Sequence, residues 1–130
     1  MRSKFDGQLE LLNEEMINMG ALCEHAIETS AKALDEGNIP LAESVSDIAA
    51  LITQKEREIE SLCMKLILQQ QPVARDLRTI TSALKMISDM ERIGDQSANM
   101  AEIIALSNIS ANDDTSDANS RISLDACEYS

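Results

Sequence analysis

Aromatic side chains are nearly missing from this chain of 130 residues, which holds one Phe, one Tyr and no Trp. Small β-sheet proteins fill their faces with aromatic and β-branched residues, so the shortage argues against a sheet. Histidine is as scarce, with His25 alone, and the three cysteines (Cys23, Cys63 and Cys127) are far apart, with no Cys-x-x-Cys pair. A Cys/His zinc site within one chain therefore lacks its ligands. The same scarcity leaves no nucleophile–base pair around a histidine, and no Glu at the spacing from His25 that a ferritin-like di-iron centre needs. No Gly-rich phosphate loop follows a strand. The chain reads as a non-enzyme.

Two further absences bound the setting. No apolar run reaches the roughly 18 residues of a membrane span, and the first residues lack the apolar core of a signal peptide. The expectation is a cytoplasmic protein, peripheral to a membrane at most, with Cys23 and Cys63 as reduced, buried thiols on helical stripes. Cations are the other shortage: 11 Lys and Arg stand against 23 Asp and Glu, giving a net charge of -12 and a pI near 4.3. Such a surface repels phosphate backbones, so no nucleic-acid partner is expected. It attracts cations, or a basic patch on another protein.

What the chain does contain is helix-forming. Hydrophobic residues make up 44%, with Leu, Ile, Ala and Met prominent beside Glu and Gln. From Phe5 through Leu12, Met19 and Ala26 to Ala33, apolar or small residues recur in steps of four and three, a heptad-like stripe about four heptads long. Gly37-Asn38 ends this first helix, and Pro40 suits the first turn of a second. The second stripe runs from Leu41 through Val45, Ile48 and Ile52 to Ile59, Cys63 and Leu66. Its slot between Ile52 and Ile59 holds Lys55 and Glu56, and burying either unpaired costs several kcal/mol. One reading is a local polar layer. The other turns Glu56, with Glu60 one turn on, toward the next helix.

Gln69-Gln70-Gln71-Pro72 breaks the pattern, because the residue before a proline avoids helical angles. A third helix starting about Pro72 carries Val73, Leu77, Ile80, Leu84 and Ile87. The same steps then reach Glu91, Gly94, Ala98 and Ala101, so the seam turns from aliphatic to acidic and small. Gly94 costs a helix about 1 kcal/mol relative to Ala, a sign of close approach. Glu91, Asp95 and Asn99 stand four apart and stack on one helical face. They form either a hard-cation site or an acidic face that is solvated or paired with Arg92 and Arg75. Carboxylates suit magnesium, manganese or iron, and the want of Cys and His ligands disfavours zinc. Arg75, Asp76 and Arg78 form a charge cluster near the helix start, where Asp76 is favourably placed in the first turn.

After Leu106 the composition shifts to Ser, Asn, Asp and Ala, and residues 107–130 read as a disordered or loosely attached polar tail. Asp113, Asp114 and Asp117 do not make a calcium loop, since the required Gly and terminal Glu are missing. The tail holds five acidic residues and one basic one, so most of the negative charge sits on the helical part. The fold expected is all-α: an antiparallel three-helix bundle over residues 1–106.

Two motifs carry a resemblance. Gln70-Gln71-Pro72-Val73-Ala74-Arg75-Asp76-Leu77-Arg78 and Asp89-Met90-Glu91-Arg92-Ile93-Gly94-Asp95, about a dozen residues apart on one helix, resemble the PhoU family of phosphate-uptake regulators over about residues 1–106. The resemblance implies a protein that represses phosphate uptake and signals between a phosphate ABC transporter and a sensor histidine kinase. It also implies metal binding through Glu/Asp-x-x-x-Asp motifs. Glu91-x-x-x-Asp95 matches that motif, Asn99 extends its face, and Glu56-x-x-x-Glu60 is a looser variant, so the metal ligands implied are Glu91, Asp95, Asn99 and Glu56. Family members carry two three-helix repeats where this chain has one followed by the tail. The expectation is a truncated form or a homodimer that restores the six-helix arrangement. The rival to a metal-binding regulator is a metal-free helical adaptor.

Overall fold

The computed structural model describes residues 2–113, and all of its regular structure is helix: α1 (Arg2–Glu36), α2 (Ile39–Gln70) and α3 (Ala74–Asp113). The helices hold 35, 32 and 40 residues, so each is about 50 Å or more in length at ~1.5 Å rise per residue. This is the all-α three-helix bundle expected from the apolar stripes. None of the described helices is long and apolar enough to cross a membrane.

Local chemistry sets both reversals. At the first, Gly37 has a φ of 63° and the Asn38 N–H donates to the Ala33 carbonyl at 3.1 Å, the six-to-one bond of a Schellman motif with Gly in its left-handed position. Asn38 then caps α2, its side-chain oxygen accepting from the Leu41 N–H at 3.1 Å, with proline in the first turn of the new helix. One Asn thus closes one helix and opens the next. At the second reversal Gln71 sits in the left-handed region (φ 44°, ψ 64°), and Pro72 follows.

The stripes pack as spaced. Leu12, Met19, Cys23 and Ala26 of α1 join Ile52, Ile59, Cys63 and Leu66 of α2 and Ile80, Ala83 and Ile87 of α3 in one core. A smaller cluster of Ala33, Ala42, Val45, Ala101 and Ile104 closes the other end. Two hydrogen bonds fix how α1 and α3 align. Cys23 Sγ donates to the Met90 carbonyl at 3.4 Å, and Ser30 Oγ donates to the Ser97 carbonyl at 3.3 Å. Both pairs share one sequence offset and lie a heptad apart, so α1 and α3 run parallel, with each α1 residue level with the α3 residue 67 further on. α2 runs antiparallel between them.

Two sequence expectations change, and at Lys55 the reading as a local polar layer holds. α3 continues past Leu106 to Asp113, so the first residues of the expected tail are helix; residues 114–130 lie outside the described part. Val73 and Leu77 are exposed rather than buried, because α3 starts at Ala74 and Leu77 stands at the rim of its apolar face. The polar slot of α2 resolves as a local ion-pair layer: Lys55 Nζ reaches Glu15 of α1 at 2.7 Å and Glu58 at 3.4 Å. Glu15 raises the Lys55 pKa chiefly through the hydrogen bond.

Candidate metal stripe

α3 meets the bundle along two heptad lines. Ile80, Ile87, Gly94 and Ala101 form the inner line and all are buried. Leu77, Leu84, Glu91 and Ala98 form the outer line, with Leu77 exposed and the rest half-buried. Glu91 lies on this half-buried rim line and not on the buried inner one, so the full cost of an unpartnered carboxylate in the apolar seam does not arise.

Gly94, on the inner line, explains why the motif comes close to α2. A Cβ there would meet Ile52 Cδ1 at 3.0 Å and Ile52 Cγ2 at 3.3 Å. Only a missing side chain lets the α3 backbone settle on Ile52. Because α2 and α3 are antiparallel, four residues on from Ile52 is level with four residues back from Gly94. Glu56 therefore stands level with Met90, next to Glu91. Glu56 is half-buried, a heptad from the buried Ala49 on one side and the buried Cys63 on the other.

The four candidate ligands thus fall into two settings. Glu56 and Glu91 are half-buried at the α2–α3 seam, while Asp95 and Asn99 continue up α3 as exposed residues. Among the described residues none of the four has a side-chain hydrogen bond, and the two ion pairs both belong to Lys55. The pairing of the acidic face with Arg92 or Arg75 is therefore not formed. Among the described residues no three His, Cys, Asp or Glu side chains converge on one point, so water or another donor would have to complete any coordination shell. Glu60, the second member of the looser motif on α2, is exposed; beside Cys63 it adds to the burial that pushes that thiol up to about 11. His25 lies exposed on α1, its Nδ1 3.5 Å from Thr29 Oγ1.

Sequence reasoning overlooked a second feature, an open groove of about 610 Å³ between α1 and α3. Leu9, Asn13 and Met16 line one side, and Arg75, Arg78 and Met86 the other. Arg75 and Arg78 were legible only as a charge cluster; that they flank an apolar groove needed the register of α1.

Comparison with known proteins accounts for the motifs. The PhoU domain model matches residues 16–104. The phosphate-specific transport system accessory protein PhoU homolog of Pseudomonas putida is 36% identical over 98 residues, covering 75% of this chain and 38% of that protein. The homolog of the same name in Aquifex aeolicus is 40% identical over 95 residues, covering 73% of this chain and 43% of that protein. In Clostridium acetobutylicum the figures are 36% over 104 residues, with 79% and 48% covered. The chain spans less than half the length of these relatives. By its matched domain and its identity to these proteins, the chain belongs to the PhoU family.

Proposed function

We propose that this chain is an accessory regulator of phosphate transport that works without catalysis, as a helical adaptor whose acidic stripe holds a hard cation. The relatives it matches are named as accessory proteins of a phosphate-specific transport system, which supports the phosphate part. The observation that supports the metal part is that Glu56 and Glu91 are both half-buried and stand level with one another on α2 and α3, with Asp95 and Asn99 one and two turns up. Two carboxylates from two helices with solvent on one side suit magnesium, manganese or iron, with waters completing the shell. The partners proposed are the phosphate ABC transporter and its sensor histidine kinase, engaged from the cytoplasm by a homodimer.

Metal analysis of protein purified without chelator tests the site. The expectation is bound manganese, iron or magnesium that is lost in Glu91→Ala/Asp95→Ala. Absence of metal, before and after soaking, overturns it. The metal-free adaptor is the second reading, favoured by the exposure of Asp95 and Asn99. It is distinguished in cells: if repression of phosphate uptake survives Glu91→Ala/Asp95→Ala, the stripe is not the working part.

A further inference from the structure

The α1–α3 face carries charges of opposite sign on its two edges. On α1, Asp6, Glu10, Glu24 and Glu28 are exposed, and each stands three residues before a groove-lining residue: Leu9 and Asn13 in the large groove, Ile27 and Ala31 in a second groove of about 370 Å³. Three residues is one turn, so these acids form the outer α1 edge. On α3, Arg75 and Arg78 flank the large groove, and Lys85 and Arg92 follow Arg78 at heptad intervals, all exposed. Asp76 and Asp89 are the acids interspersed along that stretch. Among the described residues none of these charges is paired, since the two ion pairs both involve Lys55. Between the edges Ile27, Leu34, Met86 and Met100 are 49–63% exposed.

The register converts these edges into a match. With each α1 residue level with the α3 residue 67 further on, Arg75 and Arg78 stand level with positions 8 and 11 of α1, and Arg92 with position 25. The acids lie at 6, 10, 24 and 28. A two-fold axis along the bundle leaves levels unchanged and places α1 of one copy over α3 of the other. Asp6 and Glu10 then face Arg75 and Arg78 of the second copy, and Glu24 and Glu28 face its Arg92. A perpendicular axis sets α1 on α1 and acid on acid, which like charges oppose.

We propose that this face docks a second copy of the chain, parallel and two-fold related, with the acidic edge of α1 against the basic edge of α3. Two observations agree with that occupant. From Leu9 to Leu34 the face is about 38 Å long at ~1.5 Å per residue and about two helix diameters, or ~20 Å, wide. That is on the order of 800 Å² per copy, the size of a standard specific interface. Gly20 lies in mid-face on α1, and a Cβ there would meet nothing within 4 Å. Nothing within one protomer requires that glycine, and its bare backbone leaves room for a neighbouring copy to pack closely on the face. Such a symmetric interface is self-complementary, as a two-fold contact must be. It rests on the pairing expected from the sequence and gives it a face and a direction. It does not rest on the metal reading, whose half-buried residues Glu56 and Glu91 belong to the α2–α3 seam and not to the α1–α3 face.

Charge exchange tests it. Asp6→Arg/Glu10→Arg and Arg75→Glu/Arg78→Glu each place like charges across both edges of the contact at its lower end. Each variant alone should sediment as monomer at concentrations where the unmodified chain is dimeric, with dissociation raised at least tenfold. Mixing the two should restore a dimer containing one of each. An unmodified chain that stays monomeric at high micromolar concentration overturns the pairing itself. A dimer indifferent to both exchanges, or a mixture that fails to pair although both variants keep full helicity, overturns the face. Cysteines give a readout independent of folding losses: on a Cys127→Ser background, Glu10→Cys in one copy and Arg78→Cys in the other should cross-link between copies. Failure of this pair to cross-link in a chain that still dimerises overturns the parallel arrangement.

Discussion

At the contact between Gly94 and Ile52, two terms of similar size oppose each other. Alanine at position 94 would recover about 1 kcal/mol of helix propensity, but its methyl would press on Ile52 Cδ1, Cγ2 and Cβ at 3.0–3.4 Å. Ile52 is fully buried and β-branched, so no rotation withdraws all three atoms, and overpacking of this kind costs ~1–3 kcal/mol. We expect Gly94→Ala to destabilise by about 1 kcal/mol in urea unfolding, and the loss to shrink when Ile52→Val removes the nearest atom. Cys63 offers a pH signature. Burial, with a contribution from Glu60, pushes its thiol up to about 11, so between the ordinary value and about 11 the unfolded chain ionises while the folded one does not. Its contribution is complete below the ordinary thiol pKa and is lost as pH rises, by up to ~1.4 kcal/mol per unit. Urea midpoints should fall steeply from about pH 9 upward, and less steeply in Cys63→Ala. Lys55, whose pKa Glu15 also raises, contributes in the same sense. Reading single residues in the sequence stopped at such pairings. The slot at Lys55 and Glu56 was visible as a break in an apolar stripe, but its partner Glu15 lies 40 residues away, and no local pattern links the two.

The three helices themselves were legible because their signals are local and repeated. Stripes over four heptads, Gly37-Asn38 and the glutamines before Pro72 each act within a few residues. The polar stretch after Leu106 misled for the opposite reason. Ser, Asn and Asp cost a helix only tenths of a kcal/mol each, so a helix already held by Ala101 and Ile104 runs on into them. The seam was also read as one line where α3 has two, and only packing shows that Gly94 is inside while Glu91 is at the rim. Two element-level changes follow from the turns. Gln71 holds a left-handed conformation that costs a residue with a side chain ~1–2 kcal/mol. After the extra chain entropy of glycine is subtracted, Gln71→Gly should stabilise by about 0.5–1 kcal/mol in thermal unfolding. Asn38→Ala removes the oxygen that caps α2 and should cost about 1 kcal/mol. The two substitutions act at opposite ends of α2 with no shared partner, so their effects should add.

At the scale of the whole molecule the net charge of -12 governs the response to ions. Self-repulsion among exposed carboxylates destabilises a long narrow bundle, and salt screens it with a Debye length of about 10 Å at 0.1 M. Sodium chloride should therefore raise the melting temperature gently and without saturation at a sharp concentration. A cation held by Glu91, with Glu56 level beside it, behaves differently, because binding to the folded state alone stabilises by RT ln(1 + [L]/Kd), about 2.7 kcal/mol when the ion stands at a hundred times Kd. The discriminating measurement is thermal unfolding with manganese or magnesium against sodium at equal ionic strength. Site binding predicts a rise in melting temperature beyond the sodium curve that depends on divalent concentration, shrinks in Glu56→Ala and disappears in Glu91→Ala/Asp95→Ala. Equal curves for divalent and monovalent salt, in the unmodified chain, would reduce the stripe to a screened acidic face and leave the adaptor without its metal.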